Sequence, residues 1–496
     1  VVKRTSGAQN WVCQHRVPGA TKEGILNENG AWYANTSRWN DTAPTDEVFS
    51  VGSSNDTNES GHDYIAYLWA HEEAEFGPNS DQSIISCGGY SGSGSAGLSV
   101  ALPFEPQYVL IKKTTDSANW MIFDSMRGAN AGSNDNALYA DGNWAENSGT
   151  NWIEFTPSGF NLEVSANSDV NQSGHDYVYV AIAAETGKTM KAIETGSDVF
   201  AMDTGNSSST IPTFDTGFPV DFATVRSITG SNWRAGTRLQ GTSTMKLNET
   251  SAEATASYYV FDSNVGWGAN SSYDTGWMSW CWKRSAGFDC ITYQGSNAAG
   301  HSIPHSLGKI PEMMFIKCRS HSETWIVYHK GMNGGTNPHT YYMALNSDSG
   351  ESNWDWTNGT PPTSTHFTLG SGASINFDRP YLALLFASTD VSAVGSYTGN
   401  GNALGSSPVE ITTGFAPRFI LIKRLDAAGN WRVFDTSRGI NISSLGGAND
   451  SQLNLNDNSG EDTNYNWIDV TSTSFKVTNF PSVGNSGSSY IYYAHA

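Results

Sequence analysis

One block recurs along the chain, and the recurrence limits the fold more than any local pattern does. Phe415–Gly439 reads FAPRFILIKRLDAAGNWRVFDTSRG, and Phe104–Gly128 reads FEPQYVLIKKTTDSANWMIFDSMRG in the same register. Pro106 and Trp120 are 14 residues apart, as are Pro417 and Trp431, Pro311 and Trp325, and Pro219 and Trp233 in a more degraded copy. The first residues, VVKRTSGAQNW, enter the block part-way, with Lys3 eight residues before Trp11. That is also the gap from Lys112 to Trp120, Lys317 to Trp325 and Lys423 to Trp431. Self-similarity of this kind marks a tandem array.

Each block holds a run rich in β-branched and aromatic residues, opened by proline. A polar turn follows (Thr115–Ser117, Ala427–Gly429), then a second apolar run that begins at the tryptophan. Two such runs across a short polar link predict a β-hairpin or a sheet-to-sheet connection. A buried indole removes roughly 150–250 Å² from water, enough to select one residue type in every copy. Trp11, Trp120, Trp233, Trp325 and Trp431 are therefore read as structural. They pack in the core or cover one end of it. A second fixed interval supports the same reading: Asn40–Phe49, Asn151–Phe160, Asn358–Phe367 and Asn466–Phe475 each span nine residues between loops of variable length. Phe49, Phe160, Phe367 and Phe475 are accordingly placed in the repeat core.

The five tryptophans lie 109, 113, 92 and 106 residues apart. These are domain-sized intervals, too long for a solenoid repeat of roughly 20–50 residues. Beads that each fold around their own core are expected, with boundaries giving 1–70 (a partial copy), 71–184, 185–287 (the most divergent), 288–389 and 390–496. No segment carries helical periodicity, so the fold class is all-β, a tandem array of about five β-sandwich domains. Each bead ends in an apolar strand, such as HDYVYVAIAA, RPYLALLFA or SYIYYAHA. Several of these are nearly continuous rather than alternating, which suits a strand covered on both faces. The acidic stretch Glu72–Pro78 reads as a solvated connector.

The net charge of −21 opposes binding to nucleic-acid phosphates or anionic membranes. The longest apolar runs are strand-length, too short to span a membrane. Five cysteines do not make a disulfide framework. Cys281 and Cys290 could pair, but free buried thiols and assembly in a reducing cytoplasm are the expectation. Without an initiator Met or signal peptide, the sequence is expected to be a processed product or a segment of a longer chain.

Four groups invite a chemical reading. The position four after each tryptophan holds His15, Asp124, Thr237, His329 and Asp435, and the two aspartates precede Arg127 and Arg438 by three. A catalytic acid or metal ligand is one reading; a strand-end turn with a local ion pair is the favoured one. The loops before Gly61–Tyr64 and Gly174–Tyr177 are rich in Asn and Asp and could hold calcium through oxygen, though turn chemistry accounts for them. No zinc, phosphate-loop or hydrolase-elbow motif occurs, so no catalytic residue, metal or cofactor is assigned. Aromatics crowd the variable segment after each tryptophan: Trp32, Tyr33, Trp39, Tyr139, Trp144, Tyr341, Tyr342, Trp354 and Trp356. Exposed rings beside Asn and Asp can grip a sugar, whereas the same rings could equally pack on the sandwich or on a neighbouring subunit.

Cys281–His329, CWKRSAGFDCITYQGSNAAGHSIPHSLGKIPEMMFIKCRSHSETWIVYH, resembles a module of tail-fibre and other virion surface proteins of cyanophages and other marine phages. The shared pattern runs from an aromatic strand through Gly-Phe-Asp, a Tyr-x-Gly turn, His-x-Leu-Gly, Pro, an Ile-Lys strand and a Trp-containing strand. Asn-x-Thr-x-Pro-Thr, at Asn40–Thr45 and Asn358–Thr363, belongs to it too. The resemblance implies lectin-like or jelly-roll sandwiches on the virion surface, with no reaction attached. The expectation is an elongated, non-enzymatic appendage, a tail fibre or adhesin, that binds host-surface polysaccharide multivalently. Other virion proteins would be its partners, and the resemblance makes a homotrimer possible. A capsid-decorating or spacer protein is the alternative, and a polysaccharide depolymerase the third.

Overall fold

The structure is a computed structural model that describes residues 1–71, 82–129, 131–132, 134–186, 193–440 and 449–496. The acidic connector Glu72–Pro78 lies outside the described residues. The chain is all-β, built from antiparallel sheets with, among the described residues, one short α-helix, Thr36–Trp39, whose N-cap Asn35 accepts from the Ser37 amide. It divides into two compact units, Val1–Ala184 and Glu185–Ala496. The first holds beads 1 and 2 and the second holds beads 3, 4 and 5.

Beads 2 to 5 share one plan. In bead 5 the larger sheet runs Ser392–Thr398, Ser489–His495, Phe419–Arg424, Arg432–Asp435, Asp450–Asn454, Asp462–Tyr465, and a smaller sheet of Val409–Thr412, Ser474–Val477 and Ile468–Val470 covers one face. The hairpin inferred from the repeated block is the pairing of Phe419–Arg424 with Arg432–Asp435. The closing strand of the bead lies on its other side, with Lys423 opposite Ile491. Bead 1 has a five-stranded sheet in which Val2–Arg4 pairs with Tyr64–Ala66.

The nearly continuous apolar closing strands are explained by two cores, one on each face. In Pro380–Phe386 of bead 4, Tyr381, Ala383 and Leu385 point into the sandwich of that bead. Leu382, Leu384 and Phe386 point the other way, into a second core. That second core joins residues of three beads, among them Trp233 and Trp280 of bead 3, Trp325 and Phe315 of bead 4, and Trp431 and Tyr493 of bead 5. The picture of beads that are independent of one another therefore needs correction for the second unit. Each bead has its own core, but each large sheet also carries an apolar outer face that only neighbouring beads cover.

Phe160, Phe367 and Phe475 are fully buried in their sandwiches, while Phe49 is half-buried against Trp39. The asparagines that open two of these segments, Asn40 and Asn358, have φ of 53° and 54°, a left-handed conformation that Asn tolerates well. All five cysteines are free and buried. Cys281 faces the bead 3 sandwich and Cys290 the shared core, so the two are not paired.

Candidate functional site

The repeated tryptophan sits between beads, and its environment recurs. Each Trp backbone N–H donates to an Asn or Asp side chain across the turn: Asn27 for Trp11, Asp141 for Trp120, Asn248 for Trp233, Asn346 for Trp325 and Asn456 for Trp431, at 2.8–3.1 Å. Each indole N–H, Trp11 apart, crosses to a neighbouring bead and donates to a backbone carbonyl. Trp120 bonds Ile25 at 2.9 Å, Trp325 bonds Lys246 at 2.9 Å, Trp431 bonds Ala344 at 3.1 Å and Trp233 bonds Asn454 at 2.6 Å. In the second unit bead 4 thus locks to bead 3, bead 5 to bead 4, and bead 3 to bead 5. The cycle closes on itself, so the three beads form a ring rather than a string.

The lysine eight residues before the tryptophan works at the same junction. Lys112, Lys317 and Lys423 are wholly buried, and their ammonium groups donate to Asn29, Thr250 and Asp348 carbonyls of the preceding bead, each at 2.9 Å. Arg226 takes this place in bead 3, donating to the Asn454 carbonyl of bead 5 at 3.3 Å. Lys112, Arg226 and Lys423 also lie over the ring of their own tryptophan, 4.8–6.0 Å from its centroid, in cation–π geometry. Burial pulls all three lysines down to about 8. Backbone strands of the two beads pair as well: the Trp32, Glu253, Glu351 and Glu461 amides donate to the Thr114, Arg319, Leu425 and Ile228 carbonyls.

In three of the five copies the position four after the tryptophan belongs to the junction too. His15 Nε2 donates to the Tyr179 carbonyl of bead 2 at 3.1 Å, and His329 Nε2 to the Tyr492 carbonyl of bead 5 at 3.3 Å. In both, Nδ1 accepts a backbone N–H, from Val17 and from Gly331, which fixes the neutral Nε2–H tautomer. Burial pushes His15 down to about 4 and His329 to about 3. Asp435 accepts from Arg438 at 2.7 Å and from the Trp280 indole of bead 3 at 3.1 Å. Asp124 pairs with Arg127 at 2.9 Å. Thr237 caps a short 3-10 turn, accepting from the Gln240 amide. These groups hold structure together, and each polar atom named has a structural partner.

The Asn/Asp loops are organised by tyrosine. Tyr64, Tyr177, Tyr381 and Tyr490 each accept a loop amide on the hydroxyl and donate to a loop carbonyl, as Tyr381 does with Phe377 (2.9 Å) and Ala373 (2.7 Å). Among the described residues no cluster of three or more His, Cys, Asp or Glu side chains is arranged to hold a metal.

The aromatic residues singled out as sugar platforms do not form one surface. Trp356 is fully buried and donates to the Tyr341 carbonyl at 3.0 Å. Trp39 is buried in bead 1, and Trp32 is buried at the junction against Trp120, in space left by Gly24. These three rings have no face to offer a ligand, because packing uses them. Tyr33 is exposed, and its hydroxyl accepts from Arg38 at 2.8 Å. Trp144 is exposed and edge-on to half-buried Tyr139, the ring centroids 5.3 Å apart. Trp354 is half-buried and edge-on to Tyr342 at 5.3 Å. Tyr341 is half-buried.

The junction role of lysine was legible only as a spacing, and the caps on the tryptophan amides were not legible at all. Their distance from the tryptophan varies with the intervening loop, so no fixed interval marks them.

No curated protein and no solved structure matches the chain. One family profile does, described as Domain of unknown function (DUF7483), over residues 1–186 and 196–496. With nearly every residue matched, the chain belongs to that family.

Proposed function

We propose that the chain is a non-enzymatic structural protein of a virion surface appendage of the tail-fibre kind, in which sandwich beads are clamped together by tryptophan. The observation that carries this reading is the indole-to-carbonyl bond repeated at four bead junctions. Repeated junctions of this kind favour stiffness, which an exposed appendage requires. The resemblance to phage fibre modules supplies the setting, and the charge of −21 keeps such a surface soluble. The residues that could have carried chemistry, His15, His329, Asp124 and Asp435, are spent on holding beads and turns. Immunogold labelling of intact particles with an antibody against the chain should place label on an appendage or on the particle surface. Particles without label, or release of reducing sugar from host polysaccharide by the purified chain, would refute the proposal.

A second reading, attachment to host glycan, is favoured by the Tyr342–Trp354 pair. Its rings are accessible in part, held at right angles, and flanked by exposed Ser352, Asn353 and Asp355. If it grips a sugar face, Trp354→Ala lowers full-chain binding on a glycan array by about tenfold, the loss of roughly 1–1.5 kcal/mol of ring contact. Unchanged binding removes the pair from consideration.

A further inference from the structure

We infer that the Val1–Ala184 unit is two-thirds of a ring, and that its open face is the docking surface for one more bead of this same fold. Beads 1 and 2 meet as neighbours in the closed ring do, through Trp120, Lys112, His15 and the Trp32 amide. Among the described residues, the positions that would contact a third bead are exposed or only half-buried.

Strand register shows this position by position. The residues paired with the junction cation are Met278, Leu382 and Ile491 in the closed ring, 2%, 0% and 1% exposed. In bead 1 the residue paired with Lys3 is Ile65, 40% exposed. Two residues further on, Trp280, Leu384 and Tyr493 are buried, whereas Tyr67 is 42% exposed; four residues further on, Trp282 and Phe386 are buried, whereas Trp69 is 43% exposed. Bead 2 repeats the difference. Leu110 and Val180 are half-buried, whereas Phe315 and Leu384, at the same places in bead 4, are buried.

Three beads in the closed ring leave a void of about 30 Å³ among Phe315, Phe386, Phe419, Trp282 and Tyr493. The corresponding place between beads 1 and 2 is a groove of about 640 Å³ that Val1, Tyr67, Trp69, Tyr108, Leu110 and Val180 help to line. That is room for several aromatic side chains from a missing neighbour.

The hydrogen-bonding ends are open in the same sense. The Trp11 indole N–H has no acceptor among the described residues. Lys3 makes the own-turn bond, to the Gln9 carbonyl, that Lys112 and Lys317 also make, but among the described residues no bond to another bead. On bead 2 the Tyr139 carbonyl, which stands where Ile25, Lys246, Ala344 and Asn454 stand, receives no indole. Trp144 lies in the loop that elsewhere presses on the next bead: a Cβ on Gly350, in the matching loop of bead 4, would sit 2.4 Å from the Leu425 carbonyl oxygen of bead 5. The occupant is therefore a bead with the cation–tryptophan hairpin, Lys-x7-Trp or the Arg-x6-Trp of bead 3, its indole aimed at the Tyr139 carbonyl and its own carbonyl at Trp11. A second copy of this chain is a poor source, because its beads 3, 4 and 5 are locked to one another and its beads 1 and 2 are already paired.

The test places a copy of residues 193–314 directly ahead of Val1 in the full chain, so that Val1 takes the register of Phe315, and reads side-chain exposure by hydroxyl-radical labelling. Labelling of Tyr67, Trp69 and Trp144 should slow at least about tenfold, following the fall from 42–57% exposure to the 0–4% of the ring counterparts of Tyr67 and Trp69. An insert that stays unfolded beside this face, or that folds while those three residues label as before, overturns the inference. In the unmodified chain the three residues should remain fast-labelling as concentration rises. Protection that appears together with self-association in sedimentation would assign the face to copy–copy contact and overturn it equally.

Discussion

Trp431→Ala should destabilise the three-bead unit by about 3–5 kcal/mol, the usual loss for a large aromatic truncated in a core. The indole is 1% exposed, packs in the core shared by three beads and holds bead 5 to bead 4 through the Ala344 carbonyl. Its removal leaves a cavity at a junction and an orphaned carbonyl, and it opens a cycle whose other two junctions depend on it. Trp431→Phe keeps most of the apolar area and loses only the indole N–H, which should cost about 1–2 kcal/mol. Trp11→Ala is the internal control. The same repeat position there is half-buried and makes no inter-bead bond among the described residues, so its cost should stay below about 1 kcal/mol. A chain of two units does not unfold as one, so the measurement is native-state hydrogen exchange, read separately for the strands of each unit. Equal losses for Trp11 and Trp431 would defeat the ring interpretation.

Mild acid should loosen the three-bead unit through its buried histidines. His329 and His495 are buried, and burial pushes both down to about 3 from the ordinary 6.5. Lys330 lowers His329 further, while the Tyr492 carbonyl and Glu312 raise it, and burial outweighs them. A folded value below the unfolded one means that the unfolded chain binds the extra proton. The stabilisation is complete above pH 6.5 and drains away as pH falls toward 3. By pH 5 each of the two should have forfeited about 2 kcal/mol, so roughly 4 kcal/mol for the unit. The two-bead unit, with His15 alone in the matching role and a folded value of about 4, should lose about half as much over the same range. His329→Gln keeps a side-chain donor for the Tyr492 carbonyl without the titration. It should roughly halve the dependence of hydrogen-exchange stability on pH between 5 and 7, leaving the share of His495. A slope unchanged by the substitution would show that acid acts elsewhere.

The sandwich plan was readable from residues because it is local. Fixed intervals between Pro, Lys and Trp report a hairpin, and the Asn-to-Phe interval reports a strand of the smaller sheet. Periodicity hinted at more than one core, since LALLF and IYYAHA cannot alternate between oil and water. What pairs with that second face was not readable, because the acceptors at each junction are backbone carbonyls of unrelated side chains: isoleucine, lysine, alanine, asparagine. Three of the aromatic platforms, Trp32, Trp39 and Trp356, were misplaced for a related reason. Trp356 and Trp354 are two residues apart with similar neighbours in sequence, yet one fills the bead 4 core and the other reaches the surface. Only the turn of the backbone between them decides which.

A bond that asks for a particular side chain on one partner and only main chain on the other leaves the receiving partner free to drift. Mutation can rewrite the acceptor strand of any module without loosening the clasp, provided its path is kept. Modules in such a chain are exchangeable parts. Duplication, loss and recombination can reorder them while every new neighbour still fits, and the surface loops they carry can diversify independently of the frame.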